Sequence, residues 1–139
     1  MTQAVNAFGA TLTKDGVEIA EVTNIGGPGL ARDTLEATHH KSPNMWREFI
    51  KGLKDGGEVS LDLNFMPFNS THNASLATGL LSDFSDDTAI SEFVLTFPDA
   101  GGTTWTFDGI VTGFEPASPF DDKLSASVTI KVAGQPVLA

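Results

Sequence analysis

The chain has 139 residues, with 18 acidic against 8 basic side chains and a formal net charge of −10. This surplus of negative charge opposes tight binding to nucleic-acid phosphates, because that affinity comes from Lys and Arg side chains that release counterions. The sequence contains no Cys, which excludes disulfides and thiolate metal sites. The length predicts one domain, residues 1–139, that can bury a core without cross-links.

The N-terminal sequence MTQAVNAFGATLTKDG has neither the basic nor the apolar region of a signal peptide. No apolar run approaches the roughly 18 residues that a membrane helix needs. We therefore expect a soluble protein, made in a cytoplasm, with no membrane partner. Fourteen Gly, seven Pro and ten Phe favour strands and turns over long helices.

The first predicted unit is a β-hairpin from Ala10 to Ile25. Asp15-Gly16 lies at its turn, where both positions need positive φ angles. The apolar residues of the return strand change faces between Ile19 and Ala20, which predicts a β-bulge or a strand contacted on both sides.

A further strand is predicted from Asp33 to Thr38, where apolar and polar residues alternate. A polar stretch follows it and is predicted to be an exposed loop, comprising His39, His40, Lys41 and Ser42.

Two helices are predicted from apolar residues at helical spacing. In the first, Ser42 serves as the cap and Gly56-Gly57 as the stop, and the stripe comprises Trp46, Phe49, Ile50 and Leu53. The second runs from Thr71 to Phe84. We expect it to end early, because the Asp residues near its C-terminal end oppose the helix dipole.

Four segments alternate apolar and polar residues and are predicted to be strands with one buried face: Glu58–Phe65, Phe93–Phe97, Trp105–Val111 and Lys123–Val132. The total is about seven strands and one or two short helices. This predicts a mainly β fold, either a β-sandwich or a barrel, closed by a helix.

Chemistry-bearing motifs are nearly absent. The three His residues lack any metal-ligand spacing, and the adjacent acidic pairs Asp86-Asp87 and Asp121-Asp122 lack the alternate spacing of a calcium loop. Gly26-Gly27-Pro28-Gly29 lacks the context of a phosphate-binding loop, and there is no G-x-S-x-G nucleophile motif. We expect no catalytic residue, no cofactor, no metal and no enzyme activity.

Nearly the whole chain resembles the major tail tube proteins of long-tailed, non-contractile bacteriophages. The resemblance is carried by the opening Thr11–Gly16 hairpin, Gly27-Pro28-Gly29, the block from Trp46 to Gly57, Trp105-Thr106-Phe107, and the ending Lys123–Val128. It implies two sheets flanked by a helix, a fold also similar to the tube protein of type VI secretion systems.

The resemblance also implies a structural virion protein. Such subunits form homohexameric rings that stack into a hollow tail tube, whose inner barrel is built from strands of every subunit. The implied partners are further copies of the chain, the tape-measure protein, and the tail tip and terminator proteins. DNA would pass through the lumen during ejection without specific binding, and the protein would be made in the host cytoplasm and end in the virion tail.

Strand alternation then gives candidate lumen residues. They belong to two alternative polar faces, Glu58, Asp62 and Asn64 or Ser125, Ser127 and Thr129, and Lys131 continues the second face with an unfavourable positive charge. The loop with His39, His40, Lys41 and Ser42 is the candidate contact between stacked rings. Two other classes stay open: an immunoglobulin-like binding or adhesion module, and a small-ligand barrel or hydrolase.

Overall fold

A computed structural model describes residues 2–139. Within them it contains one short α-helix, α1, at Leu80–Ser85, and one 3-10 turn at Pro43–Met45. The strands are β1 (Thr11–Lys14), β2 (Val17–Glu18), β3 (Val22–Gly26), β4 (Ala31–Glu36), β5 (Phe49–Asp55), β6 (Glu58–Asn64), β7 (Ser91–Thr96), β8 (Thr104–Ala117) and β9 (Ser125–Leu138).

Seven strands form one antiparallel sheet in the order β2-β1-β7-β8-β9-β6-β3. The sheet curls into a half-barrel, and α1 packs against β8. The remaining strands, β4 and β5, pair only with each other and form a separate hairpin. The predicted mainly β fold is confirmed, in the form of a curled sheet with one helix.

The apolar face of the sheet forms the core. On β6 the alternation is strict, with Val59, Leu61 and Leu63 no more than 1% exposed. The rings of Phe93 and Phe107 stack across β7 and β8 with centroids 5.8 Å apart. Since each such side chain contributes about 1.5–3 kcal/mol when fully buried, this face supplies the main driving force for folding.

The predicted opening hairpin is confirmed as far as Glu18. Asp15 and Gly16 form its turn with φ angles of 50° and 85°, and β1 pairs with β2. The return strand does not continue to Ile25: the chain breaks after β2, where Glu21 has a φ of 54°, and β3 pairs with β6 at the other edge of the sheet. The predicted bulge at Ile19 and Ala20 is therefore wrong, and the register shift lies between Val22 and Asn24.

The predicted helix from Trp46 to Leu53 is wrong. Residues 49–55 form β5, which pairs with β4, and the 3-10 turn at Pro43–Met45 precedes it. The apolar stripe has no surface of its own chain to pack against: Trp46 is 73% exposed and Leu53 is 82% exposed. Without that burial a short isolated helix is not stabilised, whereas pairing with β4 satisfies the backbone of residues 49–55.

The second predicted helix begins late, and the expectation that it ends early is wrong. Of Thr71–Phe84, only the part from Leu80 is helical, the helix continues to Ser85, and the residues before Leu80 form turns. Buried polar contacts hold those turns against the sheet: His72 Nε2 donates to the Ala20 carbonyl at 2.6 Å, and His72 Nδ1 accepts from Met66 N–H at 3.1 Å. Specific tertiary hydrogen bonds thus replace helical ones.

Among residues 2–139, no helix has the length and apolar character needed to cross a membrane.

Candidate functional site

Strand pairing places the two alternative polar faces on one surface. In the β6–β9 ladder Asp62 lies opposite Ser127, and Asn64 lies opposite Ser125. Directly paired residues of an antiparallel sheet point to the same side. All six candidate lumen residues are therefore neighbours on the side of the sheet opposite the core: Glu58, Asp62, Asn64, Ser125, Ser127 and Thr129.

Hydrogen bonds organise the middle of this surface. Ser127 Oγ donates to Asp62 Oδ1 at 3.1 Å, and Asn24 Nδ2 donates to Asp62 Oδ2 at 3.4 Å. Both oxygens of the exposed Asp62 carboxylate accept from neutral groups, and no cation pairs with it among residues 2–139. Its negative charge therefore stays uncompensated at the surface.

The same surface continues across β8 and β7. Glu115 of β8 lies opposite Ser127, and Asp108 of β8 lies opposite Glu92 of β7. Sequence patterns did not single out these three acidic residues. Only the pairing register, with its shift between Val111 and Gly113, shows that they share the face of Asp62. We call this surface of β6, β9, β8 and β7 the acidic face; it carries Glu58, Asp62, Glu92, Asp108 and Glu115.

Lys131 lies on the acidic face but its charge is balanced. It is paired directly across from Glu58, and its Nζ lies 3.4 Å from Asp55 Oδ1. The Gly57 backbone N–H and then Lys131 hold the pKa of the Asp55 carboxyl below its ordinary value of 3.8. Because two carboxylates flank Lys131, its ammonium group does not make this end of the face positive.

The hairpin of residues 31–55, which we call the arm, forms a separate two-stranded sheet whose residues are mostly exposed. Its loop contains the four candidate contact residues His39, His40, Lys41 and Ser42, all outside the core. The loop is ordered by polar contacts: His39 N–H donates to Ser42 Oγ at 3.0 Å, and His39 Nε2 lies 3.6 Å from Glu48 Oε2. The exposed loop position is therefore confirmed, whereas its role in ring contacts stays a prediction.

The arm exposes apolar side chains on both of its faces. Those more than half exposed are Leu35, Met45, Trp46, Phe49, Ile50 and Leu53. An isolated two-stranded hairpin is only marginally stable in water. Exposed apolar surface of this kind marks an interaction site. The arm is therefore a surface suited to burial against another chain.

The buried titratable groups serve the fold. Asp83 accepts from Ser91 Oγ and from Val111 N–H at 2.9 Å, while Lys14 Nζ donates to the Ala77 carbonyl at 2.7 Å. Asp83 and Lys14 lie 3.9 Å apart, so their charges compensate. Within residues 2–139 no group of three His, Asp or Glu side chains is placed to hold a metal ion.

Comparisons with solved structures agree with this architecture. A chain of the virion of a native gene transfer agent particle is 19% identical to this chain, with a TM-score of 0.76. The match covers 98% of this chain and 99% of that chain. A chain of the tail of an empty gene transfer agent particle, refined with C6 symmetry, gives 19% identity, a TM-score of 0.73 and the same coverage. A chain of an extracellular contractile injection system sheath-tube complex gives 11% identity, a TM-score of 0.73, and covers 99% of this chain and 92% of that chain.

A search of curated protein sequences gave no match. Residues 2–139 match the family described as Lambda phage tail tube protein. This match spans the core sheet, the arm and the acidic face. The chain therefore belongs to the lambda phage tail tube protein family, whose members are structural components of phage tails.

Proposed function

We propose that residues 1–139 act as one non-enzymatic tube domain that assembles into hexameric rings, and that the rings stack into the hollow tail tube of a virion. The family match and the fold support this role. The six-fold symmetry of the structurally similar gene transfer agent tail supports a hexamer. The tube would surround a tape-measure protein during assembly, meet tip and terminator proteins at its ends, and conduct the genome during ejection.

The acidic face is the observation that carries the conduit role. Its five carboxylates face a single Lys131, which is itself paired. A wall of this sign repels phosphates, and its single Lys is already paired with a carboxylate, so DNA moves past it without binding. We propose that the part of this face on β6, β9 and β8 lines the lumen.

The free edges of the sheet support closure into a ring. β3 is an edge strand. Along β8, β7 covers only residues 104–109, which leaves residues 110–117 without a neighbouring strand on that side. Unpaired edges invite association, and cyclic symmetry removes them by joining one edge to the next subunit. Four strands, β3, β6, β9 and β8, would then form each subunit's share of the inner barrel.

The arm loop with His39, His40, Lys41 and Ser42 is proposed to contact the neighbouring ring. The exposed apolar side chains of the arm would be buried in the same assembly.

Negative-stain electron microscopy of the concentrated protein tests the assembly directly. We expect rings or tubes with a central hole. A protein that stays strictly monomeric at high concentration, and that is also inert toward the other tail components, would contradict the proposed function.

Charge reversal tests the lumen assignment. Replacing Glu58→Lys together with Asp62→Lys should leave folding intact and slow genome ejection from assembled particles, because ammonium groups would hold phosphates. The matched control is Asp86→Lys with Asp87→Lys, which makes the same charge change directly after α1, the helix whose Leu80 packs into the core on the other side of the sheet. Unchanged ejection kinetics in the first variant would remove these residues from the lumen.

A further inference from the structure

A cationic groove lies where the arm joins the sheet. Its volume is about 580 Å³, and its walls come from the base of the arm and from the second half of β9. Apolar walls are supplied by Leu30, Val132 and Pro136, and charge by Arg32 and Lys54. The groove is open and combines apolar surface with two basic side chains.

The two cations of the groove are unfavourably placed in the free subunit. Arg32 and Lys54 are direct cross-strand partners in the β4–β5 ladder. Like charges directly opposite one another destabilise a strand pair. Neither side chain pairs with a carboxylate within residues 2–139. The third charged residue at the groove, Asp55, is already bound to Lys131 and Gly57 N–H. An anionic occupant would relieve this repulsion.

The loop between β8 and β9 has the complementary chemistry. Phe120 at its tip is fully exposed, and Asp121 and Asp122 follow it directly. Asp122 has a weak exposed partner in Lys123 at 3.8 Å, while Asp121 has none within the described residues 2–139. An aromatic ring followed by two carboxylates matches an apolar groove that carries two cations.

One chain cannot join its own loop to its own groove. The loop precedes Ser125, whereas the groove begins at Val132, seven residues further along the extended strand β9. Seven residues of strand span about 23 Å. The two surfaces therefore lie toward opposite ends of the sheet, and their pairing joins different copies head to tail.

We propose that the Phe120–Asp122 loop of one subunit docks in the Arg32–Lys54 groove of a subunit in the next ring. This inference rests on the proposed tube function, and it identifies the chemistry of the contact between rings. The free edges of the sheet lie beside the strands and are used for closure within a ring. The loop and the groove are separated along the strands, so they are available for stacking.

Disulfide trapping tests the contact, because the natural chain has no Cys. A chain with Phe120→Cys and Gln135→Cys should give a ladder of linked subunits on a non-reducing gel after oxidation of assembled tubes. Each single variant, and the control pair Phe120→Cys with Val17→Cys, should give no ladder. Intact tubes that yield no ladder from the first pair would overturn the proposed contact.

Charge exchange provides an independent test. The charge of the loop is reversed by Asp121→Lys with Asp122→Lys, and that of the groove by Arg32→Asp with Lys54→Asp. Either reversal should reduce the number of tubes on the order of tenfold while single rings persist. The combined four-residue variant should restore tubes, whereas Asp86→Lys with Asp87→Lys should not reduce them.

The outcomes separate the two proposals. Tubes of unchanged number in both reversal variants would overturn the docking contact and leave the tube function standing. A wild-type protein that forms neither rings nor tubes would instead count against the proposed function.

Discussion

The curled sheet and the arm are both antiparallel β structure, yet they differ in charge and burial. The arm, residues 31–55, has five basic and four acidic residues and a formal charge of +1, which leaves −11 on the rest of the chain. Core strands bury their apolar side chains almost completely, as at Phe93, whereas Leu53 of the arm is 82% exposed.

This difference separates two roles. The sheet buries its apolar face within one chain, although its edges at β3 and along residues 110–117 stay free. The arm leaves apolar and cationic groups uncovered, so it gains free energy only when another chain covers it. Stability of the subunit should therefore depend on the apolar face of the sheet, whereas assembly should depend on the arm, the Phe120–Asp122 loop and the free sheet edges.

The sharpest test of this contrast replaces one Phe in each region. Phe93→Ala should cost about 3–5 kcal/mol of unfolding free energy, because it removes a fully buried ring stacked on Phe107. Phe49→Ala, at a side chain 54% exposed, should change it by no more than about 0.5 kcal/mol. Urea denaturation of the unassembled subunit measures both values.

The same Phe49→Ala subunit should assemble poorly, because its apolar contact surface is reduced. Counting tubes by electron microscopy checks this. A variant that loses stability but assembles normally would reverse the assignment of roles to the two regions.

The next largest loss of stability is expected at the buried pair of Lys14 and Asp83, which anchors α1. Asp83→Ala removes the buried carboxylate partner of Lys14 and leaves only the exposed Asp15 carboxylate, 3.7 Å from its Nζ, so it should cost about 3 kcal/mol. Adding Lys14→Met to that variant should recover part of the loss, since the buried charge is removed as well. Denaturation titrations of the single and double variants measure the difference. Equal stability of the two variants would show that the charge of Lys14 is not the source of the cost.

The exposed ion pair between Lys131 and Asp55 should contribute little to folding stability. Lys131→Met removes the exposed contact with Asp55, and exposed ion pairs are largely screened by solvent. We expect an unchanged denaturation midpoint. A clearly lowered midpoint would show that this pair fixes the arm to β9.

The smallest expected effect is on the thermal stability of the subunit at acidic pH. Hydrogen bonds from the Thr103 side chain and backbone hold the pKa of the half-buried Asp99 carboxyl below its ordinary value of 3.8. A lowered pKa in the folded state contributes stability that is present above pH 3.8 and is lost as pH falls through the lower folded-state pKa. Asp99→Asn should therefore flatten the decline of thermal midpoint below that pH. An unchanged slope would contradict this contribution.

Several features of the fold could be predicted from short patterns. Strict alternation from Glu58 to Phe65 predicts β6, and Asp15-Gly16 predicts the hairpin turn. These predictions hold because each pattern directly favours one local structure. A period of two buries one face of a strand, and Gly accommodates a positive φ.

The arm shows where patterns were insufficient. Trp46, Phe49, Ile50 and Leu53 have helical spacing, but a helix also needs a surface on which to bury that stripe. No part of residues 2–139 supplies one, and pairing with β4 determines the structure instead. Sequence patterns also left the residues of the acidic face incomplete, because Glu92, Asp108 and Glu115 join that face only through strand order and bulges.

The sequence by itself determined the family, the mainly β character, the acidic balance and the alternation that separates core from polar face. Only the tertiary structure decided that the polar sides of β6 and β9 form one surface, that Lys131 is neutralised there, and that an acidic loop and a cationic groove lie at opposite ends of β9. The physical reason is that alternation is a local property of the backbone. Register, strand order and charge pairing join residues far apart in sequence and exist only once the sheet has formed.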